Sequence, residues 1–389
     1  MEDENKARGG TTEHYEEREA QAVADGRRNM SSVFSSRRAG RGGLFAELRE
    51  NNAVYPEHYM VLTNDGAGTK ITLCPWMERF STIGQDVVAM NANDFAPFGL
   101  AYPDAVNLYF AVQSKIEEEK MGEIMKGIDA ALQQCIREGI PFSLNYGKLE
   151  TASLEEMLDS THPGLGFDIA CSMTGFIRKD DVPSFDPIPG DIIVGLASTG
   201  LHSNGYTAAR HILLKPGIEP RERWKSQYTG RFDLDSVLPG SSETVGEALL
   251  TPTAIYLRAM WDITQAVPAA FGVNITGYGL KNFNRVGDGV EYHISDPMEP
   301  LPIHRVFMRE GGYDVKTAWT KSNMGMGFAV IVPDEDAAKT AVSIAKAAGH
   351  DAKIVGKVQP GREGEACTWL CTKGMAGMPD ETVRFKGYD

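Results

Sequence analysis

The sequence is short of cysteine, of positive charge and of long apolar runs. Its five cysteines (Cys74, Cys135, Cys171, Cys367, Cys371) are odd in number and scattered through apolar segments of a 389-residue chain. That argues against a disulfide framework. Cys367 and Cys371 form a C-x3-C pair, yet no nearby His or Cys pair completes a zinc site, so the thiols read as buried or incidental. Lysine and arginine number 39 against 53 acids, a formal charge of −14. A general nucleic-acid binder is excluded on that ground, since such binding rests on clustered positive charge. No stretch approaches the roughly 18 apolar residues of a membrane span, and the first forty residues hold no apolar signal-peptide core. The expectation is a cytoplasmic protein with no membrane partner.

What is present is ordinary globular material: 42% hydrophobic and 24% charged residues, enough to bury a core and, at this length, to form two domains. Residues 1–43 are a polar arm, acid-rich at first and then basic and glycine-bearing (Arg38, Gly40, Arg41, Gly42, Gly43). It reads either as an unordered tail or as an arm that folds over an anionic ligand. Globular patterning starts at Tyr59. Met60-Val61-Leu62 is a strand stopped by Asn64-Asp65-Gly66, residues 106–112 are a second strand, and 115–138 carry apolar residues at helical spacing ahead of a Gly139 cap. A Pro-rich linker over 182–189 divides the chain into a first domain, 44–181, and a second, 189–360, with an extension over 361–389. In the second domain, 192–197 reads as a strand, 207–214 as a helix, and Thr251-Pro252 as a helix start. Residues 327–332 and 352–358 read as strands around an Ala-rich helix over 334–348. The class is mixed α/β (α+β).

Six motifs bear chemistry. Asn64-Asp65-Gly66-Ala67-Gly68-Thr69-Lys70 follows a strand with glycines, a carboxylate and a lysine, which suits phosphate or serves as a tight turn. Gly84-Gln85-Asp86 and Asn91-Ala92-Asn93-Asp94 place acids and amides on an apolar stretch. Such groups need a partner, whether backbone, metal or ligand. Gly147-Lys148-Leu149-Glu150-Thr151-Ala152 sets an acid beside small residues. His202-Ser203-Asn204-Gly205-Tyr206 leads from a strand into a helix. That is an anion site with a histidine for proton transfer, or a plain N-cap. Ile275-Thr276-Gly277-Tyr278-Gly279, with Asn282 and Arg285, and Ser322-Asn323-Met324-Gly325-Met326-Gly327 bring backbone close to something.

In this order and spacing the six motifs resemble the aminoimidazole ribonucleotide synthetase (phosphoribosylformylglycinamidine cyclo-ligase) family over residues 65–358. The resemblance implies a fold with an N-terminal half-barrel domain that dimerises and a C-terminal α/β domain. It implies ATP-driven cyclisation of formylglycinamidine ribonucleotide in purine biosynthesis, with magnesium and a homodimer. Carried over residue by residue, it puts ATP and substrate on Asp65, Gly66, Gly68, Thr69, Lys70, Asn93, Ser203, Asn204, Gly205, Gly277 and Gly279. Magnesium falls on Asp65, Asp94 and Glu150, and the catalytic positions on His202, Lys70 and Asp94. Two departures stand out: Lys148-Leu149 where the family usually has two glycines, and Tyr278 within a usual triple-glycine turn. They motivate the alternative of a superfamily small-molecule kinase or a paralogue with a changed substrate.

Overall fold

The computed structural model describes residues 47–50, 55–136 and 145–388; the arm over 1–43 and the Gly139 cap lie outside them. Twelve described strands form two sheets. The first contains β1 (Glu47–Glu50), β2 (His58–Gly66), β3 (Tyr102–Val112), β4 (Asn145–Ser153) and β5 (Phe167–Arg178), in the order β1-β2-β5-β3-β4. All its pairings are antiparallel except β3 with β4. Sequence dictates its two faces. In β5 the buried Phe167, Ile169, Cys171, Met173 and Ile177 alternate with Asp168, Ala170, Ser172, Thr174 and Phe176, which stay wholly or partly open. The buried face packs on helix Ser81–Phe95, which in turn packs on helix Met121–Cys135. Gly84 permits that approach, because a Cβ there would stand 2.6 Å from the Ile128 nitrogen. Among the described residues nothing covers the other face, which carries Tyr109 at 43% exposure.

The second sheet runs β12-β11-β8-β10-β6-β9-β7. Its strands are β6 (Ile192–Ala197), β7 (Phe271–Asn274), β8 (Val290–Ile294), β9 (Met326–Val332), β10 (Ala352–Pro360), β11 (Ala366–Cys371) and β12 (Thr382–Lys386). Every residue of β9 is buried, the mark of a strand covered on both faces. Segment 361–389, read from sequence as an extension, supplies β11 and β12 to this sheet, with β11 parallel to β8.

One expected helix start moves. The helix anticipated at Pro252 begins only at Leu257 and runs to Ala266, because the residues before it are held in an extended crossing between the domains. Asp86 Oδ1 accepts from the Thr253 N–H (2.8 Å) and hydroxyl (2.6 Å). Asn93 donates to the Ala254 carbonyl (2.8 Å) and accepts from the Tyr256 N–H (2.8 Å). Thr251 instead ends the preceding helix, Val245–Leu250. The helix anticipated over 115–138 opens with a wide turn, Ile116–Lys120, before regular winding begins at Met121.

Candidate active site

A cleft of about 1410 Å³ opens where the two domains meet. On one side stand the end of β2 with its following turn, Met90 of helix Ser81–Phe95, the start of β5 and the loop around Asp159. On the other stand residues 203–208, Arg221, Gly277 and Tyr278. The second-domain loop leaves β6, and His202 (φ +59°) and Gly205 (φ +71°) take left-handed backbone on either side of Ser203-Asn204. The sharp bend delivers the chain into helix Tyr206–Leu213, whose start no side chain caps. Its first N–H groups are thereby available to an anion. Across the gap, the Thr69 and Thr207 hydroxyls lie 3.1 Å apart and join the two loops.

Of the residues singled out by sequence, Asp65, Gly66, Gly68, Thr69, Ser203, Asn204, Gly205 and Gly277 line this cleft. The others sit elsewhere. Lys70 is fully buried, its Nζ 2.9 Å from Asp86 and donating to the carbonyls of Thr251 (2.7 Å) and His202 (3.4 Å). Burial pulls its pKa down while Asp86 holds it up. Asp86 thus finds the partner its apolar surroundings require, and it also accepts from the Ser203 hydroxyl at 3.1 Å. Asn93 fastens the domain crossing. His202 is 3% exposed and its Nε2 accepts from the Thr199 N–H at 3.2 Å. Burial, with Lys70 nearby, pushes its pKa to about 3, so the ring is neutral. Asp94 accepts from Asn274 at 3.0 Å, and burial raises its pKa to about 7. Gly279 has no room for a Cβ against the Trp319 carbonyl.

Glu150 is exposed on edge strand β4 and paired with Lys148 at 2.7 Å. Register sets Glu150 opposite Tyr109, Tyr109 opposite Ala170, and Ala170 opposite Gly66. Glu150 is therefore three strands from Gly66, roughly 14 Å. Asp65, Asp94 and Glu150 do not converge within one chain, and among the described residues no group of three His, Cys, Asp or Glu side chains could hold a metal. The three carboxylates of one chain do not fit a magnesium ion as a set.

Sequence reading passed over Asp159, Asp168 and Arg221, all in the cleft wall. Arg221 grips Glu219 through two 2.8 Å bonds and donates to the Asp159 carbonyl at 3.0 Å, a strap between domains at the cleft. It lies in a polar stretch with no motif. Asp168 did leave a signal, as an acid at an outward position of a strictly alternating strand. The sixth motif proves structural: Asn323 donates to the Gly200 carbonyl at 2.9 Å and steadies the loop that ends β6.

Together these features define a two-domain α/β protein with an anion-ready cleft at the domain junction. The chain belongs to the AIR synthase related family: the model of the family's N-terminal domain matches residues 49–159 and that of its C-terminal domain residues 189–366. Among similar proteins, the phosphoribosylformylglycinamidine cyclo-ligase of Methanosarcina barkeri is 36% identical over 306 residues, 78% of this chain and 81% of that protein. The one from Methanocaldococcus jannaschii is 32% identical over 307 residues, 78% and 79% of the two chains. Among solved structures, the HypE–HypF complex aligns with a TM-score of 0.56 at 16% identity, covering 88% of this chain and 92% of that one. Thiamine-monophosphate kinase from Stenotrophomonas maltophilia K279a aligns at 0.50 and 16% identity, covering 82% and 88%. Both share the fold.

Proposed function

We propose that the protein closes formylglycinamidine ribonucleotide to aminoimidazole ribonucleotide at the expense of ATP, in purine biosynthesis and in the cytoplasm. The observation that carries the reading is the meeting, in one cleft, of the 65–69 turn and the 203–207 helix start, in a chain whose relatives bear that enzyme's name over four fifths of their length. An amide oxygen is a poor leaving group. Transfer of the γ-phosphoryl group to the formyl oxygen gives an iminophosphate and ADP; the amidine nitrogen attacks that carbon, the C–O bond breaks, and inorganic phosphate and a proton depart.

The chain's own groups serve phosphate first. Backbone N–H groups at the start of helix Tyr206–Leu213 and the hydroxyls of Thr69 and Thr207 bind and orient it, the stabilisation such transfers need. His202, neutral and with Nε2 occupied by the Thr199 N–H, holds the loop in shape. Magnesium enters with ATP, whose phosphates carry the ion. The face and the two edge strands of the first sheet that no described residue covers favour a homodimer.

The test mixes purified protein with ATP and magnesium and measures inorganic phosphate with and without the ribonucleotide. Ribonucleotide-dependent release is expected. A stable phosphorylated product with no free phosphate would replace the cyclo-ligase with a kinase.

A further inference from the structure

The end of the chain returns to the cleft. The family's C-terminal match stops at residue 366, so nearly all of β11, all of β12 and the residues after them stand beyond it. Their path is fixed. Asn284, held by the Thr368 hydroxyl (2.8 Å), donates to the carbonyls of Phe385 (3.2 Å) and Gly387 (2.8 Å). The Tyr388 ring then lies 5.2 Å from that of Tyr278, at an interplanar angle of 56°. The Arg285 guanidinium sits 4.8 Å from the Tyr388 ring and the Lys281 ammonium 6.0 Å from the Tyr278 ring, contacts of cation–π type.

Tyr278 lines the cleft beside Gly277, and its φ of +66° is one that glycine takes freely and a tyrosine does not. A bulky residue held in such a conformation at a cleft, and backed by a second ring, points to use of the ring itself. The two ends of the cleft differ in chemistry. The first domain offers Ile71, Pro75, Met90, Leu165 and Phe167, an apolar wall for a purine. The second offers Ser203, Asn204 and Thr207 for a phosphate, with the Tyr278 ring as an amphipathic face beside them that suits a sugar.

We propose that Tyr278, propped by Tyr388 from the C-terminal segment, walls the ribonucleotide subsite and sets affinity for the phosphorylated sugar substrate. The pair are positioning residues. The proposal rests on the cyclo-ligase reading. The full-length wild type is therefore assayed first, because absence of ribonucleotide-dependent phosphate release there sinks that reading without reference to the tyrosines.

With that release in hand, Tyr388→Ala and Tyr278→Gly are each expected to raise KM for the ribonucleotide about tenfold, with kcat and the KM for ATP within about twofold of wild type. Tyr388→Phe keeps the ring and restores the wild-type KM. Tyr278→Gly melts no lower than wild type, since its backbone conformation suits glycine, which separates a site role from a structural one. An unchanged ribonucleotide KM in both variants, an equal rise in the KM for ATP, or a lowered melting temperature matched by a proportional fall in kcat would each overturn the proposal.

Discussion

Lys70 and Asp86 face each other at 2.9 Å with neither side chain exposed, beneath the cleft and at the seam between the domains. A lysine in a glycine-rich turn invites assignment to phosphate, yet here it answers a buried carboxylate that also anchors Ser203 and Thr253. Lys70→Met leaves that carboxylate uncompensated, and the expected loss is about 3–5 kcal/mol in urea unfolding. Adding Asp86→Asn recovers part of it. Unchanged stability with a raised KM for ATP would return Lys70 to the phosphates.

Acid weakens the fold through buried histidines. Burial lowers the pKa of His202 to about 3 and of His304 to about 4, from an ordinary 6.5. The unfolded chain therefore takes up protons that the folded chain refuses. The stability involved is present in full above pH 6.5 and is lost as pH falls from there toward the folded values, by about 1.4 kcal/mol per pH unit for each ring. Asp94, its pKa raised by burial to about 7, works the other way over the same range, one group against two, so urea midpoints at pH 7.5, 6 and 5 should still decline, most steeply between 6 and 5; midpoints that rise toward acid would contradict the burial of both rings.

Thr207→Val keeps shape and removes a hydroxyl from the cleft. Circular dichroism should be unchanged while KM for a phosphorylated ligand rises roughly tenfold, the worth of one hydrogen bond to a charged group. Equal KM values would confine the 3.1 Å Thr69–Thr207 contact to joining the loops.

Tyr109 stands on the face of the first sheet that no described residue covers. If that face is covered by a second copy, Tyr109→Glu places a charge in the interface, and light scattering should report twice the chain mass for wild type and a single chain for the variant. The same mass for both would remove this face from the contact.

How much of this was legible in the sequence depends on the range of each interaction. Strand β6, the Ala-rich helix after Val332 and the loop before Tyr206 are written in neighbouring residues, and the structure forms them where local pattern places them; Asn64-Asp65-Gly66, read as the turn that stops a strand, instead continues β2 to Gly66, because all three pair with Ser172, Cys171 and Ala170 of β5. Asp86 also announced its need for a partner by lying in an apolar run. What the pattern did not carry is which partner. Lys70 lies 16 residues away in sequence and looked complete within its own turn. The Thr251-Pro252 pair is a sound local helix signal overruled by four hydrogen bonds from another domain. The ring contact of Tyr388 with Tyr278 needed two added strands to be placed first.

The crossing at 251–256 also bears on how the chain comes to be folded. Its anchors, Asp86 and Asn93, belong to a helix made early in synthesis, and the segment they hold is made some 160 residues later, Thr253 lying 167 residues from Asp86 and Tyr256 163 from Asn93. Synthesis from the N-terminus thus completes the mould before the part that is cast against it emerges. The second domain inherits the alignment of its helix Leu257–Ala266 from a surface already in place. The same protein with its halves exchanged in order would meet that seam from the other side, with a buried aspartate waiting for its partners.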